Sequence, residues 1–168
     1  SEMYRIFIVE DDLTIAGLLT AHLRRWGFEA EAATDFSDIV GAFCRIQPHL
    51  VLLDISLPFY DGYYWCAELR KRTKAPIVFL SSRSDNMDIV MAMNMGGDDF
   101  ITKPFSMEVV VAKINAHLRR AYSYFGETAV ISARGAILDL GAGVLEYGEN
   151  RIELTKNETK ILKLLMEH

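Results

Sequence analysis

Asp11 and Asp12, Asp54, Ser81 and Lys103 are the residues of this chain whose types and spacing could do chemistry together. Each stands at or just past the end of a segment that reads as a β-strand. In a parallel sheet those strand ends share one edge, which is where open α/β sheets bind their ligands. Three carboxylates brought together there repel one another unless a cation intervenes. An oxygen-only ligand set suits Mg²⁺, which keeps several waters and takes one or two carboxylates. Lys103 supplies a point charge that can pair with Asp54 and with a phosphoryl oxygen, and Ser81 offers a hydroxyl donor. A cation and a lysine neutralise a transferring phosphoryl group, and a carboxylate nucleophile would yield an acyl phosphate. Each residue alone has a plainer reading: Asp11 or Asp12 as a helix cap, Lys103 as a surface lysine, Ser81 as a loop hydroxyl. Their ordered recurrence at successive strand ends is what points to a site.

The elements that must position these groups follow from periodicity. Short apolar runs alternate with helix-period segments over residues 4–120, the signature of a parallel sheet with crossover helices. Five runs read as strands: Tyr4–Glu10, Glu29–Thr34, Leu50–Ile55, Pro76–Ser81 and Asp99–Thr102. The first, third and fourth are almost continuously apolar, as strands covered on both faces are, and the weaker second belongs at an edge. Ile15, Leu18, Leu19, Leu23 and Trp26 mark one face of a first helix that Gly27 ends. A second helix runs from Phe36 to Ile46, before Pro48. Asp61 and Gly62 open a third, and Asn86 to Met95 forms a fourth. Ser106 caps a fifth that reaches Arg120, with Val110, Ile114 and Leu118 inward.

After Tyr122 the pattern changes. Residues 129–154 show short β-like runs broken by Gly135, Gly141, Gly143 and Gly148, a small antiparallel sheet. Thr155 with Glu158 forms a capping box that starts another helix, whose face carries Ile161, Leu162, Leu164 and Leu165.

Composition sets the frame. Of 168 residues, 51% are hydrophobic and 24% charged, as in a soluble globular protein, and no apolar run is long enough to span a bilayer. No signal peptide is visible, so a cytoplasmic location without membrane insertion is expected. The net charge of -5 argues against the whole chain being a nucleic-acid glove. Cys44 and Cys66, both in helical segments, read as buried reduced thiols.

The stretches Ile6 to Asp12, Val51 to Pro58, Pro76 to Arg83 and Gly97 to Phe105 resemble receiver domains of bacterial two-component response regulators. The resemblance implies a flavodoxin-like fold with strand order 2-1-3-4-5. It makes Asp54 the phosphoacceptor, supplied by a sensor histidine kinase. Mg²⁺ would be held by Asp12, Asp54 and the backbone carbonyl of Ser56, with Asp11 acting through water. Lys103 would pair with the phosphoryl group, and the Lys103–Pro104 bond is expected to be cis. Ser81 and Phe100 correspond to the switch pair. Ser56 and Arg83 would tune the phosphate lifetime.

Residues 129–168 resemble the start of an OmpR/PhoB-type winged-helix effector, which gives a receiver at 3–122, a linker at 123–128 and a truncated DNA-binding domain from 129 on. Binding to DNA is then a property of the full-length protein. Regulators of this type dimerise through the fourth helix, fifth strand and fifth helix. Asp99 with Lys113 and Asp98 with Arg120 fit cross-subunit salt bridges, and Ile89 and Val109 replace a usual ion pair. The segment Phe59 to Cys66 looks like regulators of resistance to cell-envelope antimicrobial peptides. The resemblance also implies no enzyme beyond self-phosphorylation and dephosphorylation. A Mg²⁺-dependent phosphatase or phosphotransferase with an Asp nucleophile is the alternative, but haloacid-dehalogenase-like enzymes need a second Asp where Ser56 stands.

Overall fold

The computed structural model describes residues 3–83, 85–122, 130–133, 135–139 and 143–167. The chain divides into two compact units, Ser1–Leu118 and Arg119–His168. The expected linker at 123–128 lies outside the described residues.

In the first unit, β1 (Arg5–Val9), β2 (Glu29–Ala32), β3 (Leu50–Asp54), β4 (Ile77–Ser81) and β5 (Asp99–Thr102) form one parallel sheet in the order β2-β1-β3-β4-β5. The expected order and the edge position of the second strand are therefore borne out. β3 and β4 are buried at every residue, which is why they read as unbroken apolar runs. Between them lie α1 (Leu13–Arg25), α2 (Ile39–Ile46), α3 (Gly62–Arg70) and α4 (Asn86–Asn94), and α5 (Met107–Tyr122) follows β5. One face of the sheet packs Phe7, Val51, Leu53, Ile77 and Phe79 against Ile39, Phe43, Cys66, Leu69 and Ala92.

Side chains that cap the helices fix where the chain leaves each strand end. Asp12, Asp38, Asp61 and Asp85 accept backbone N–H groups at the starts of α1 to α4, and Ser106 accepts from Val109 N–H in α5.

Several sequence expectations need correction. The second helix starts at Ile39 rather than Phe36, because Asp38 is its cap, and β2 stops at Ala32 rather than Thr34. Leu18 and Trp26 do not share the inner face of α1: they are 63% and 59% exposed, while Ala16, Leu19 and Leu23 are buried. Thirteen helical residues present more apolar positions than one strip of sheet covers, and Leu18 instead lines a groove of about 640 Å³ with Ile15, His22, Pro104 and Phe105. Cys44 is exposed, since α2 turns it away from the core, whereas Cys66 is buried.

In the second unit β6 (Val130–Ala133), β7 (Ala136–Asp139), β8 (Val144–Tyr147) and β9 (Asn150–Glu153) make an antiparallel sheet in sequence order. The helix α6 (Lys156–Glu167) opens with the expected capping box: Glu158 accepts from Thr155 N–H at 2.9 Å, and the Thr155 hydroxyl accepts from Glu158 N–H at 3.2 Å. Ile161, Leu164 and Leu165 are exposed on it.

Candidate functional site

Register decides what meets at the carboxyl edge of the parallel sheet. Val9 lies beside Leu53, Asp54 beside Leu80, and Ser81 beside Thr102. The first residues past β1 and β5 therefore converge on the end of β3. Asp54 and Ser81 are buried, at 4% and 1% exposure. The backbone is packed hard here: a Cβ at Gly62 would fall 2.2 Å from the Asp54 carbonyl oxygen and 2.8 Å from Ile55 Cα. Only glycine lets α3 start this close to the strand end that carries Asp54.

The Lys103 ammonium joins two carboxylates. It donates to Asp54 Oδ2 at 3.1 Å and to Glu10 Oε1 in a close ion pair. Ser56 N–H donates to the other Asp54 oxygen at 3.3 Å. Glu10 is almost wholly buried, and burial, reinforced by Asp54, pushes its carboxyl above the usual range. Burial opposes the charge of Lys103, but Glu10 and Asp54 outweigh it and hold the ammonium above its ordinary pKa. The lysine is thus a fixed cation. The Lys103–Pro104 bond that follows it is cis, as expected.

The acidic group is not quite the one anticipated. Glu10, Asp11 and Asp54 place carboxylate oxygens within 4.8 Å of one another. Asp12 stands apart from them: its carboxylate caps α1, accepting from Thr14 and Ile15 N–H at 2.9 and 3.2 Å. The cause is that β1 ends at Val9, one residue earlier than its apolar pattern indicated, so Glu10 is the residue that enters the pocket. Asp12 directly precedes the first helical residues, and that cap position is the signal that could have separated it from the pair. An all-oxygen cluster of three crowded carboxylates with one ammonium suits a hard divalent cation.

Ser81 sits at its strand end as expected, and its hydroxyl accepts from Arg83 N–H at 2.9 Å. Phe100 is half-buried against the core. At the start of β5, Asp98 and Asp99, expected to pair across subunits, are engaged within the chain. Lys113 Nζ lies 3.0 Å from Asp99, His117 Nε2 lies 2.9 Å from the same carboxylate, and Asp98 pairs with Arg70 of α3. Burial of Asp99 is outweighed by His117, Phe100 N–H and Lys113, which hold its carboxyl below the ordinary range. Arg120 and Val109 are exposed, and Ile89 is half-buried.

No helix among the described residues is long and apolar enough to cross a membrane. Residues 6–115 match the family model described as response regulator receiver domain. The transcriptional regulatory protein YxdJ of Bacillus subtilis is 44% identical over 98% of this chain and 73% of its own length. The N-terminal domain of the nisin resistance regulator NsrR, solved as a lantibiotic response regulator, is 51% identical over 70% of this chain and all of that one, with a TM-score of 0.65. The response regulator DrrB, described as a Thermotoga maritima OmpR/PhoB homolog, aligns over 99% of this chain and 73% of that one at 27% identity and a TM-score of 0.62. The sheet order, the strand-end cluster and these matches agree with the resemblance read from the motifs: the chain belongs to the response regulators, and its first unit is a receiver domain.

Proposed function

We propose that Asp54 accepts a phosphoryl group from the phosphohistidine of a sensor kinase, and that this acyl phosphate controls transcription by the DNA-binding part of the full-length protein. The observation that carries the reading is the Lys103 ammonium held between Glu10 and Asp54 at the strand ends. An Asp54 oxygen forms the new bond to phosphorus as the donor's P–N bond breaks and its electron pair stays on the imidazole. Glu10, Asp11, Asp54 and the Ser56 carbonyl are the groups that would hold Mg²⁺, which supplies positive charge to the phosphoryl oxygens. Lys103 exchanges part of its contact with Asp54 for a phosphoryl oxygen, and Ser56 N–H keeps the carboxylate oriented.

Ser81 would then donate its hydroxyl to the phosphoryl group, and Phe100 would repack beside it, so that two conformations are populated differently before and after phosphorylation. The α4-β5-α5 face, with Ile89, Asp98, Asp99, Val109, Lys113 and Arg120, is the expected dimer surface. Its aspartates must exchange or share the partners Arg70, Lys113 and His117 to serve a second subunit. The similarity to NsrR supports a role in the response to antimicrobial peptides of the cell envelope.

The test is a mass measurement. Wild type incubated with a small acyl phosphate and Mg²⁺ should gain one phosphoryl group, and Asp54→Ala should gain none. Equal gain in both, or none in wild type, sinks the reading.

A further inference from the structure

Arg83 stands two residues past Ser81, on the loop that leads into α4. Its backbone N–H holds the Ser81 hydroxyl, and its guanidinium pairs with the Asp88 carboxylate at 3.0 Å. Asp88 lies in the first turn of α4 yet is buried. It is not needed there as a cap, because Asp85 already accepts from Asp88 N–H at 2.9 Å. The buried Tyr63 of α3 points its hydroxyl at the Asp88 carbonyl and carboxylate oxygens, at 3.3 and 3.4 Å. Burial, then the Asp88 charge, push the Tyr63 hydroxyl above its ordinary pKa, so it remains a donor at neutral pH. A buried carboxylate requires partners. Here they tie together α3, the loop after Ser81, and α4.

We propose that Asp88, steadied by Tyr63, is a positioning residue that commits the Arg83 guanidinium to α4 and thereby sets the lifetime of the phosphoryl group on Asp54. The proposal rests on Asp54 being the phosphoacceptor. Loss of the phosphoryl group requires a water oxygen to attack phosphorus. The P–O bond to Asp54 breaks, its electron pair returns to the carboxylate, and the water proton passes to solvent with inorganic phosphate. With Glu10, Asp11 and a dianionic phosphoryl group on Asp54 set against Lys103 and a divalent cation, the pocket remains net negative. A guanidinium released from Asp88 is drawn toward that charge, donates to phosphoryl oxygens and covers the approach of water. Release of Arg83 therefore slows hydrolysis.

The experiment phosphorylates the full chain with a small acyl phosphate and Mg²⁺, removes the donor, and follows decay by intact mass. Wild type, Asp88→Asn, Arg83→Ala and the double variant form a cycle. The half-life is expected to lengthen about threefold in Asp88→Asn, the scale of one partly exposed ion pair. Adding Asp88→Asn to Arg83→Ala should change nothing further, because the effect runs through the arginine. Tyr63→Phe, which keeps the ring, should lengthen the half-life in the same direction and replaces Asp88→Asn in the cycle if that variant does not fold. An unchanged or shorter half-life, or equal lengthening in the Arg83→Ala background, overturns the proposal while leaving Asp54 in place. Wild type that takes up no phosphoryl group overturns the reading of Asp54 and this proposal with it.

Discussion

Replacing Lys103 by methionine tests the electrostatics of the site without any phosphodonor. At 3.1 Å and an effective dielectric constant of about 20, the attraction between Lys103 and Asp54 is about 5 kcal/mol before desolvation is subtracted. The lysine side chain is 17% exposed and its partners Glu10 and Asp54 are 0% and 6% exposed, so their charges are screened poorly. Removing one partner of such a group leaves buried carboxylates uncompensated, and about 3 kcal/mol of lost stability is expected near neutral pH. For a unit of this length, Ser1–Leu118, that corresponds to a fall in Tm of about 12 °C. Intrinsic tryptophan fluorescence reports this unit alone, because Trp26 and Trp65 both lie in it.

The pH dependence has a defined sign. Glu10 titrates above its ordinary value in the fold, so the stability linked to it is fully present below the unfolded pKa of 4.5 and is lost as pH rises through the folded one. Methionine at 103 removes the group that opposes this shift, so the deficit should be largest near pH 7.5 and much smaller near pH 4.5. Lys103 contributes its own stability below 10.5, lost only as pH rises through its raised folded pKa. Melting curves in EDTA at the two pH values decide the matter. A loss of under about 3 °C near neutral pH, or an equal loss under acid conditions, refutes the argument that this ion pair compensates buried charge.

Two further outcomes follow from the corrected site. Asp12→Ala should cost about 1 kcal/mol of stability through loss of the α1 cap while leaving Mg²⁺-dependent phosphorylation near the wild-type rate, whereas Glu10→Gln should slow phosphorylation at least about tenfold; the comparison is made by mass-resolved time courses, and the reverse ranking would restore Asp12 to the pocket. Alkylation near pH 8 should label Cys44 within minutes and spare Cys66, whose thiol burial pushes up to about 11, and peptide mapping that finds Cys66 labelled in the folded chain would contradict the packing of α3.

Periodicity and strand-end position determined a good deal unaided. The runs that became β1, β3 and β4 are apolar because they are covered on both faces, and that same burial puts Asp54 and Ser81 at the last position of their strands. Asp61, Ser106 and the Thr155–Glu158 pair announce helix starts through local hydrogen bonds, which sequence neighbours can form by themselves. Tertiary structure decided which acids of the run Glu10-Asp11-Asp12 face the pocket. The sequence offered a helix cap at Asp11 or Asp12 without choosing between them, and the point where β1 stops pairing and α1 starts assigns the first two acids to the cluster and the third to the cap. It likewise decided that Leu18 and Cys44 face outward, since helical spacing marks a face but not how much of it a neighbour covers. Asp98 and Asp99 find Arg70, Lys113 and His117 in their own chain because α3 and α5 pack beside β5, a juxtaposition set by long-range packing rather than by any spacing in the sequence.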